Sequence, residues 1–390
     1  MRRILILCGD ADGNLGDRAI LRAMCRTFAQ AAEGVALTVT SSHPQRARQE
    51  FGAEVLPAGW LNWWALWQAA GDSDLVICGG GGLFQDDDSL VKMPYWALRV
   101  LLARLRCGRV AGVSLGVGPL RARVSRFFAR VALNGLHPVS VRDPLAQQLA
   151  QRITRRTVEL VPDPALLLEP APPQQAEEVL AAHGVPMDGR PLIGVAPRRW
   201  FPPRARIIPH SLAWRWRGTP ASEQRGNEEL ARLLAQVLDN LVEQQDGYIV
   251  FLPSYNKPHE ADDRVCQAVM AAMRSKAHAL LRMDDPALYK AVAGRMSLML
   301  GGRMHPTIFA AACGTPVVGL AYNPKFHGLF QMLGLADQVV DVTDFVAQRR
   351  VENLCLLARK VMGRAPDLAA RAAELAQRSR CFMQRLVREN

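Results

Sequence analysis

Short, unbroken apolar runs recur along this chain, each leading into a glycine-containing loop and then a helix-length stretch. Ile4-Leu5-Ile6-Leu7-Cys8 is the first, and Leu75-Val76-Ile77-Cys78, Leu192 to Ala196 and Val317 to Leu320 repeat the form. A strand that is apolar on both faces belongs in a parallel sheet covered by helices on either side. A first series of such strands runs through Ala36–Thr40, Arg109–Ser114, Val139–Val141 and Val158–Val161. A second series restarts at Leu192 and passes through Gly247–Leu252, Ala279–Leu281, Ser297–Leu300 and Val339–Val340. Between the two lies a proline-rich stretch with Pro170, Pro172 and Pro173. The pattern predicts an α/β protein with two doubly wound, Rossmann-like domains facing a cleft. The expected boundaries are 1–170 for the first domain, 171–190 for a linker and 191–390 for the second, with the last helix packing back on the first. A chain of 390 residues is also longer than one hydrophobic core ordinarily serves.

Charge narrows the partners. Lys and Arg number 48 against 36 Asp and Glu, a formal net charge of +12. That excess suits a polyanion, an acidic membrane surface or phosphorylated substrates. No helix-turn-helix, RRM or zinc pattern appears, so nucleic acid is not an expected partner. The eight cysteines are scattered without a CxxC pair and read as reduced, buried small hydrophobes. The apolar run after Met1-Arg2-Arg3 is too short for a signal peptide, and no run is long enough to span a bilayer. A cytoplasmic protein is expected.

Chemistry-bearing residues gather at strand ends. Ser297 to Leu300 reads as a strand, followed by Gly301-Gly302-Arg303-Met304-His305-Pro306 and a short helix stopping at Gly314. Pro306 fits a first helical turn, where its missing N–H costs nothing. Arg303 and His305 then lie at a helix mouth whose free N–H groups attract an anion. Two readings stand: an anion site with an adjacent imidazole, or Arg303 paired to a structural carboxylate and His305 capping the helix. In the first half, Gly9 to Asp17 follows the first strand, with Asp17 as the expected N-cap. Gly79-Gly80-Gly81-Gly82 leads into Asp86-Asp87-Asp88 after another strand. Four glycines admit a ligand or another backbone, and an aspartate there can serve as a base or stand in a solvated loop. The glycine spacing is not GxGxxG, which disfavours a nicotinamide or flavin site.

Three further features bear on partners. Trp60, Trp63, Trp64 and Trp67 fall at helical spacing and read first as core, with a membrane-facing stripe as the alternative. Residues 121–134 form a basic amphipathic helix in which Arg121, Arg123, Arg126 and Arg130 accompany Val124, Phe127, Phe128 and Val131. Such a helix can lie on anionic lipid or simply present a charged surface. Residues 197–220 interleave arginines with Trp200, Phe201, Trp214 and Trp216, a composition suited to a lid, a membrane contact or base stacking.

Several stretches, taken in order, resemble the polysaccharide pyruvyl transferases. They are Gly13-Asn14-Leu15-Gly16-Asp17, Gly79 to Gly82 with Leu83 and Asp86, Gly116-Val117-Gly118-Pro119, Ser140-Val141-Arg142-Asp143 and Asp163-Pro164-Ala165. The second half contributes His259, Gly302-Arg303-Met304-His305 and Tyr322-Asn323-Pro324-Lys325. Met304 stands where the family often has Leu, and the Arg/Trp-rich stretch has no counterpart among these motifs. The resemblance implies a GT-B-like fold and transfer of pyruvate from phosphoenolpyruvate, as co-substrate, onto a sugar of a cell-surface polymer or its lipid-linked precursor. It implies no redox cofactor and no obligatory metal.

Within that chemistry His305 is the expected acid on the vinyl carbon, Arg303 the grip on the anion and Asp86 the base on the acceptor hydroxyl, with Asp87 and Asp88 as rivals. Arg198, Lys325 and Gly302 are expected to bind phosphoenolpyruvate. Asn14, Asp17, Gly80, Gly81, Arg142, His259 and Tyr322 are further substrate-binding candidates. Peripheral contact with an anionic membrane would bring the enzyme to a lipid-linked saccharide acceptor. The competing readings are a GT-B glycosyltransferase using a nucleotide sugar and a non-catalytic protein that binds anionic glycans or membrane surfaces.

Overall fold

A computed structural model describes residues 2–9, 13–57, 62–87, 89–200, 214–216, 218–255, 257–258, 260–362 and 367–388. His259, Asp88, Trp60 and most of the Arg/Trp-rich stretch (201–213 and 217) lie outside the described residues. The chain divides into two compact units. The first runs to Leu168 and takes in the chain from Leu375 onward; the second comprises Glu169–Pro202 and Trp214–Glu374.

The first unit is built on a seven-stranded sheet of β1 (Arg2–Leu7), β2 (Val35–Ser41), β3 (Glu54–Pro57), β4 (Leu75–Gly79), β5 (Val110–Leu115), β6 (Val139–Val141) and β7 (Val158–Leu160). All neighbours are parallel, in the order β3-β2-β1-β4-β5-β6-β7. Ile4 to Leu7 and Leu75 to Cys78 are fully buried, as strands covered by helices must be. The helices are α1 (Leu15–Ala31), α2 (Pro44–Phe51), α3 (Trp63–Gly71), α4 (Lys92–Cys107), α5 (Arg123–Gly135) and α6 (Pro144–Ile153). The edge strand β3 is absent from the sequence reading because Glu54 and Pro57 interrupt its apolar run.

Asn14, not Asp17, caps α1: its side chain accepts from Gly16 N–H at 2.9 Å, and Asp17 sits in the first turn. The tryptophan stripe is not the buried face of α3. That helix buries Leu66 and Ala70, while Trp64 is 69% exposed and Trp63 and Trp67 lie on the flanks. Trp63 packs against the rim of the core beside Tyr95, and Trp64 is left outside.

The second unit carries a six-stranded parallel sheet: β8 (Leu192–Ala196), β9 (Tyr248–Phe251), β10 (His278–Leu280), β11 (Leu298–Gly301), β12 (Val317–Ala321) and β13 (Val339–Asp341), ordered β10-β9-β8-β11-β12-β13. The stretch expected as a linker forms α7 (Pro173–Ala182) and belongs to this unit. Ala171 N–H donates to the Ala287 carbonyl at 3.0 Å, and Glu177 pairs with Arg295 at 2.9 Å. The remaining helices are α8 (Ala221–Gln245), α9 (Asp262–Ala272), α10 (Pro286–Ala293), α11 (Met304–Ala312), α12 (Lys325–Leu333), α13 (Val342–Gln348), α14 (Val351–Met362) and α15 (Leu368–Arg388). The C-terminal part of α15 anchors to the first unit through Arg385, which pairs with Glu159 at 2.6 Å. All eight cysteines are free thiols. Among the described residues no helix is long and apolar enough to cross a membrane.

Candidate active site

In the second unit the strand order reverses direction between β8 and β11. Ligands of open parallel sheets bind beyond the carboxyl ends of the strands at such a point. The residue after Pro197 at the end of β8 is Arg198, and the N-cap residue beyond β11 is Arg303. Gly302 brings them together, donating its N–H to the Ala196 carbonyl at 2.9 Å. A Cβ on Gly302 would lie 3.1 Å from that carbonyl and from Arg198 N, a tight contact to which the backbone would have to yield by a few tenths of an ångström.

Two buried carboxylates from the segment after β9 fix the arginines. Glu260 pairs with Arg198 at 3.1 Å and with Arg303 at 2.6 Å, and Asp262 takes Arg303 Nε at 3.0 Å on each oxygen. Asp262 also accepts from Tyr255 N–H at 3.0 Å, which ties the pair to the backbone. Burial pushes Glu260 up, but the charges of Arg198 and Arg303 prevail and hold its carboxyl well below the usual carboxylate range. The sequence reading missed Glu260 and Asp262. Both are about forty residues from Arg303, and only the sheet order brings them beside it.

The third strand end, beyond β12, adds Tyr322 and Lys325. Arg198 Cζ lies 3.8 Å from the centre of the Tyr322 ring, and Lys325 Nζ is 4.8 Å from it. Burial alone would raise this phenol, but Lys325, Arg198 and Arg303 more than offset it, and its pKa falls below the ordinary tyrosine value. Behind Arg198 and Tyr322 lies a small recess between Trp200, Leu234 and Leu320. Trp200 is itself pinned to α8: its N–H donates to Asn227 Oδ1 at 2.8 Å, and Asn227 returns a bond to its carbonyl at 2.7 Å.

Helix α11 begins at Met304, with Arg303 as an N-cap residue that makes no side-chain capping bond. Its dipole therefore faces the same strand ends. His305 is half-buried in the first turn, its ring 6.4 Å from Phe309, and Phe309 packs edge-on against Tyr289 at 5.8 Å. The Tyr289 hydroxyl donates to the Leu252 carbonyl at 2.7 Å, so the aromatic stack that backs the imidazole is hydrogen-bonded to the sheet. Both sequence readings of Arg303 leave a trace here. It is paired to structural carboxylates, and it stands at a helix mouth with two further cations nearby.

The first-unit candidates are placed differently. Gly80 and Gly81 have φ of +75° and +81°, and added Cβ atoms would lie 2.2 Å from Ile20 Cγ2 and 2.7 Å from Asp17 Oδ1. The glycines thus admit the first turn of α1. Asn14 donates to Asp17 at 3.3 Å, which completes that packed turn. Gly116 N–H donates to the Gly81 carbonyl at 2.9 Å and Gly118 N–H to Phe84 O at 2.7 Å, so the two glycine motifs zip together. Asp86 is fully buried and accepts from Arg121 N–H at 2.8 Å and Ala122 N–H at 2.9 Å, at the start of α5. Two backbone donors thus engage the carboxylate that the sequence offers as the base. Arg142 is likewise buried against Asp163 at 2.8 Å, and Asp163 caps the following turn through Ala165 N–H at 3.0 Å.

Two parallel α/β units, each with its strand order reversing beside the first strand, define a GT-B-like protein, here with a cluster of cations at the strand ends of the second unit. Solved structures share this fold. UDP-GlcNAc 2-epimerase from Methanocaldococcus jannaschii superimposes with a TM-score of 0.61 at 12% identity, covering 96% of this chain and 98% of that one. Sucrose-phosphate synthase from Thermosynechococcus elongatus gives 0.59 at 15% identity, covering 100% and 99%. A glycosyltransferase from Rickettsia africae gives 0.60 at 11% identity, covering 100% and 99%. Residues 14–324 match the family described as Polysaccharide pyruvyl transferase, and the chain belongs to that family. It is a transferase, of a family that moves pyruvyl groups onto polysaccharide.

Proposed function

We propose that the protein transfers pyruvate from phosphoenolpyruvate to a sugar of a cell-surface polysaccharide or its lipid-linked precursor, forming a ketal and releasing phosphate. The observation that carries this reading is the convergence of Arg198, Arg303, Tyr322 and Lys325 at the ends of β8, β11 and β12, beside the N-terminus of α11. Three formal cations face two carboxylates there, which leaves a net positive site for a donor bearing a carboxylate and a phosphate. Glu260 and Asp262 hold the guanidinium planes in place before substrate arrives, so little reorganisation is needed on binding.

In this scheme His305 protonates the vinyl carbon, which becomes the methyl group of the ketal. A sugar hydroxyl attacks the adjacent carbon and gives up its proton, phosphate leaves with the C–O electron pair, and a second hydroxyl closes the ring, its proton passing to the released phosphate. Positioned proton transfer of this kind contributes about 10²–10⁴-fold. Arg303, Arg198 and Lys325 bind the phosphate and carboxylate, and Tyr322, whose phenol these cations hold below the ordinary tyrosine value, takes up the acceptor proton in its ionised form. No step of the scheme calls on a metal or a redox cofactor.

The test is incubation of the whole protein with phosphoenolpyruvate and lipid-linked saccharides. Mass spectrometry would look for an added pyruvyl group, and a phosphate assay would run in parallel. Pyruvylated product that disappears with His305→Ala supports the scheme. Full activity in a folded His305→Ala protein, or turnover of a UDP-sugar in place of phosphoenolpyruvate, overturns it.

A further inference from the structure

In the first unit α3, α4 and α5 lie side by side on one face of the sheet. Trp63 of α3 packs edge-on against Tyr95 of α4 at 5.6 Å, and Arg106 of α4 sits over Trp67 at 5.7 Å. On the other side of α4, a Cβ on Gly135 of α5 would be 3.0 Å from Val100 Cγ1. The inward faces of these helices carry Leu66, Trp96, Val100, Ala129 and Leu133, all buried in the core.

The outward faces should then be polar, and they are only partly so. On α4 the residues opposite the buried stripe are Leu98, Leu101 and Leu105, at i, i+3 and i+7, and Leu105 is 75% exposed. On α5 the outermost residue is Phe127, 60% exposed, with Val124 on one flank and Arg123 and Arg130 on the other. Trp64 of α3 is 69% exposed. Scattered exposed apolar residues need no explanation, but here they sit on adjacent helices of one face.

The charge on this face has one sign. None of the three helices contains an Asp or a Glu, and none occurs anywhere from Ser89 to Arg142. Over the same helices Lys92, Arg104, Arg106, Arg123, Arg126 and Arg130 supply cations around the leucines. An apolar centre of Leu, Phe and Trp rimmed by arginine, with no carboxylate within the three helices and the exposed Asp72 only at the far end of α3, matches the chemistry of an anionic bilayer surface. The indole of Trp64 suits the headgroup level. A second copy of this chain would bring the same arginines against each other, which disfavours self-association through this face. The aliphatic centre offers no groove or stacking platform for nucleic acid.

We infer that the outward face of α3, α4 and α5 docks the enzyme on an anionic membrane leaflet, with the leucines of α4 and Phe127 of α5 entering the headgroup–acyl boundary. The inference deepens the lipid-linked part of the functional reading, and it does not depend on the identity of the donor. The leucine stripe and Trp64 make the face a composite of three helices rather than the property of the basic helix alone.

The test is co-sedimentation of the full chain with large vesicles of equal parts phosphatidylglycerol and phosphatidylcholine, against vesicles of phosphatidylcholine alone. The expected result is binding to the anionic vesicles only. Leu105→Gln and Phe127→Gln should each weaken it by roughly tenfold, because each removes an exposed apolar group from the boundary. Arg123→Gln and Arg130→Gln should each weaken it by about fivefold, and salt should suppress that part of the binding selectively. All four side chains are on the surface, so circular dichroism melting should be unchanged. Retention of the wild-type protein in the supernatant overturns the inference, as does equal binding by the apolar variants. So does a solution dimer that Phe127→Gln dissociates. Phosphate release from phosphoenolpyruvate with a soluble saccharide acceptor should survive in these variants. Failure of membrane docking is thereby distinguished from failure of the proposed reaction.

Discussion

The guanidinium of Arg198 lies over the ring of Tyr322, Cζ to ring centre 3.8 Å, while Glu260 holds the same guanidinium at 3.1 Å. A cation is thereby fixed in plane and a phenol is made more acidic in one arrangement. Arg198→Lys keeps the charge but loses the flat stack and the fork on Glu260. Under the proposed reaction it should raise KM for phosphoenolpyruvate on the order of tenfold. Steady-state kinetics at fixed acceptor would read this directly, and an unchanged KM would remove Arg198 from donor binding.

Tyr322 makes a pH prediction whose sign follows from its lowered pKa. A phenol lowered on folding adds stability that is complete above the ordinary tyrosine pKa and is lost as pH falls through the folded value. Tyr322→Phe should therefore match the wild type in pH dependence near neutrality and fall behind it in the alkaline range. Urea midpoints measured across alkaline pH give the comparison. Parallel curves would show that the cations do not perturb the phenol.

Arg303 is the counter-charge for two buried carboxylates. Its removal strands Asp262 and leaves Glu260 with Arg198 alone, and breaking a buried pair from one side costs about 3–5 kcal/mol. Arg303→Ala is thus expected to lose stability as well as activity. The combined Arg303→Ala and Asp262→Asn protein, in which Glu260 keeps Arg198, should regain most of the stability and none of the activity. In the wild type Glu260, held low, contributes stability that is present above its unfolded pKa and lost as pH falls toward the folded value. Recovery of turnover in the combined variant would show that Arg303 serves the fold alone.

How much of this was legible in the sequence depends on the range of the interaction. Strands buried on both faces announce themselves locally, which is why β1, β4, β8 and β12 are plain from Ile4–Leu7, Leu75–Cys78, Leu192–Ala196 and Val317–Leu320. The edge strand Glu54–Pro57 has no such run. The α3 tryptophans keep helical spacing, yet Trp63 reaches only the rim of the core and Trp64 lies outward, because periodicity marks a face without saying which neighbour covers it. The glycine loops mark close approach, and what approaches Gly80 and Gly81 is helix α1. The partners of Arg303 could not be read, since nothing local to Glu260 or Asp262 points to a residue two strands away.

Asp86 separates structure from chemistry. Asp86→Ala leaves the N–H groups of Arg121 and Ala122 without their acceptor at the head of α5, a loss of about 1–3 kcal/mol. Asp86→Asn keeps an acceptor oxygen and should retain more of that stability. Because the carboxylate is turned to the backbone, kcat of Asp86→Asn should stay within a few-fold of wild type at a temperature where both are folded. A loss of the 10²–10⁴-fold typical of a missing base would restore it to the chemistry.

Gly80→Ala tests the packed glycine loop. The substitution places a Cβ 2.2 Å from Ile20 Cγ2 at a residue with φ of +75°, and overpacking with backbone strain costs about 1–3 kcal/mol each. Adding Ile20→Ala should relieve the clash but not the strained φ. The double variant should therefore recover only part of the loss beyond the Ile20→Ala cost. Complete additivity of the two single changes in thermal melts would mean that the contact is not close.

Lys290 of α10 is buried to 3% exposure, and desolvation lowers its pKa from 10.5 to about 8, against the opposing charges of Cys313 and Glu169. The sign is that of a base lowered on folding. Below pH 8 both the folded and unfolded states hold the proton, and the folded state carries the full cost of a buried ammonium, about 3 kcal/mol. Between the folded and unfolded pKa values the unfolded chain binds more protons, so stability rises with pH across that window. Lys290→Met keeps the length and apolar stem of the side chain. It should raise the denaturation midpoint at neutral pH and flatten the climb between pH 8 and 10. Chemical denaturation of both proteins at several pH values decides it. An Lys290→Met protein less stable than wild type at neutral pH would show that the ammonium has partners strong enough to offset its burial.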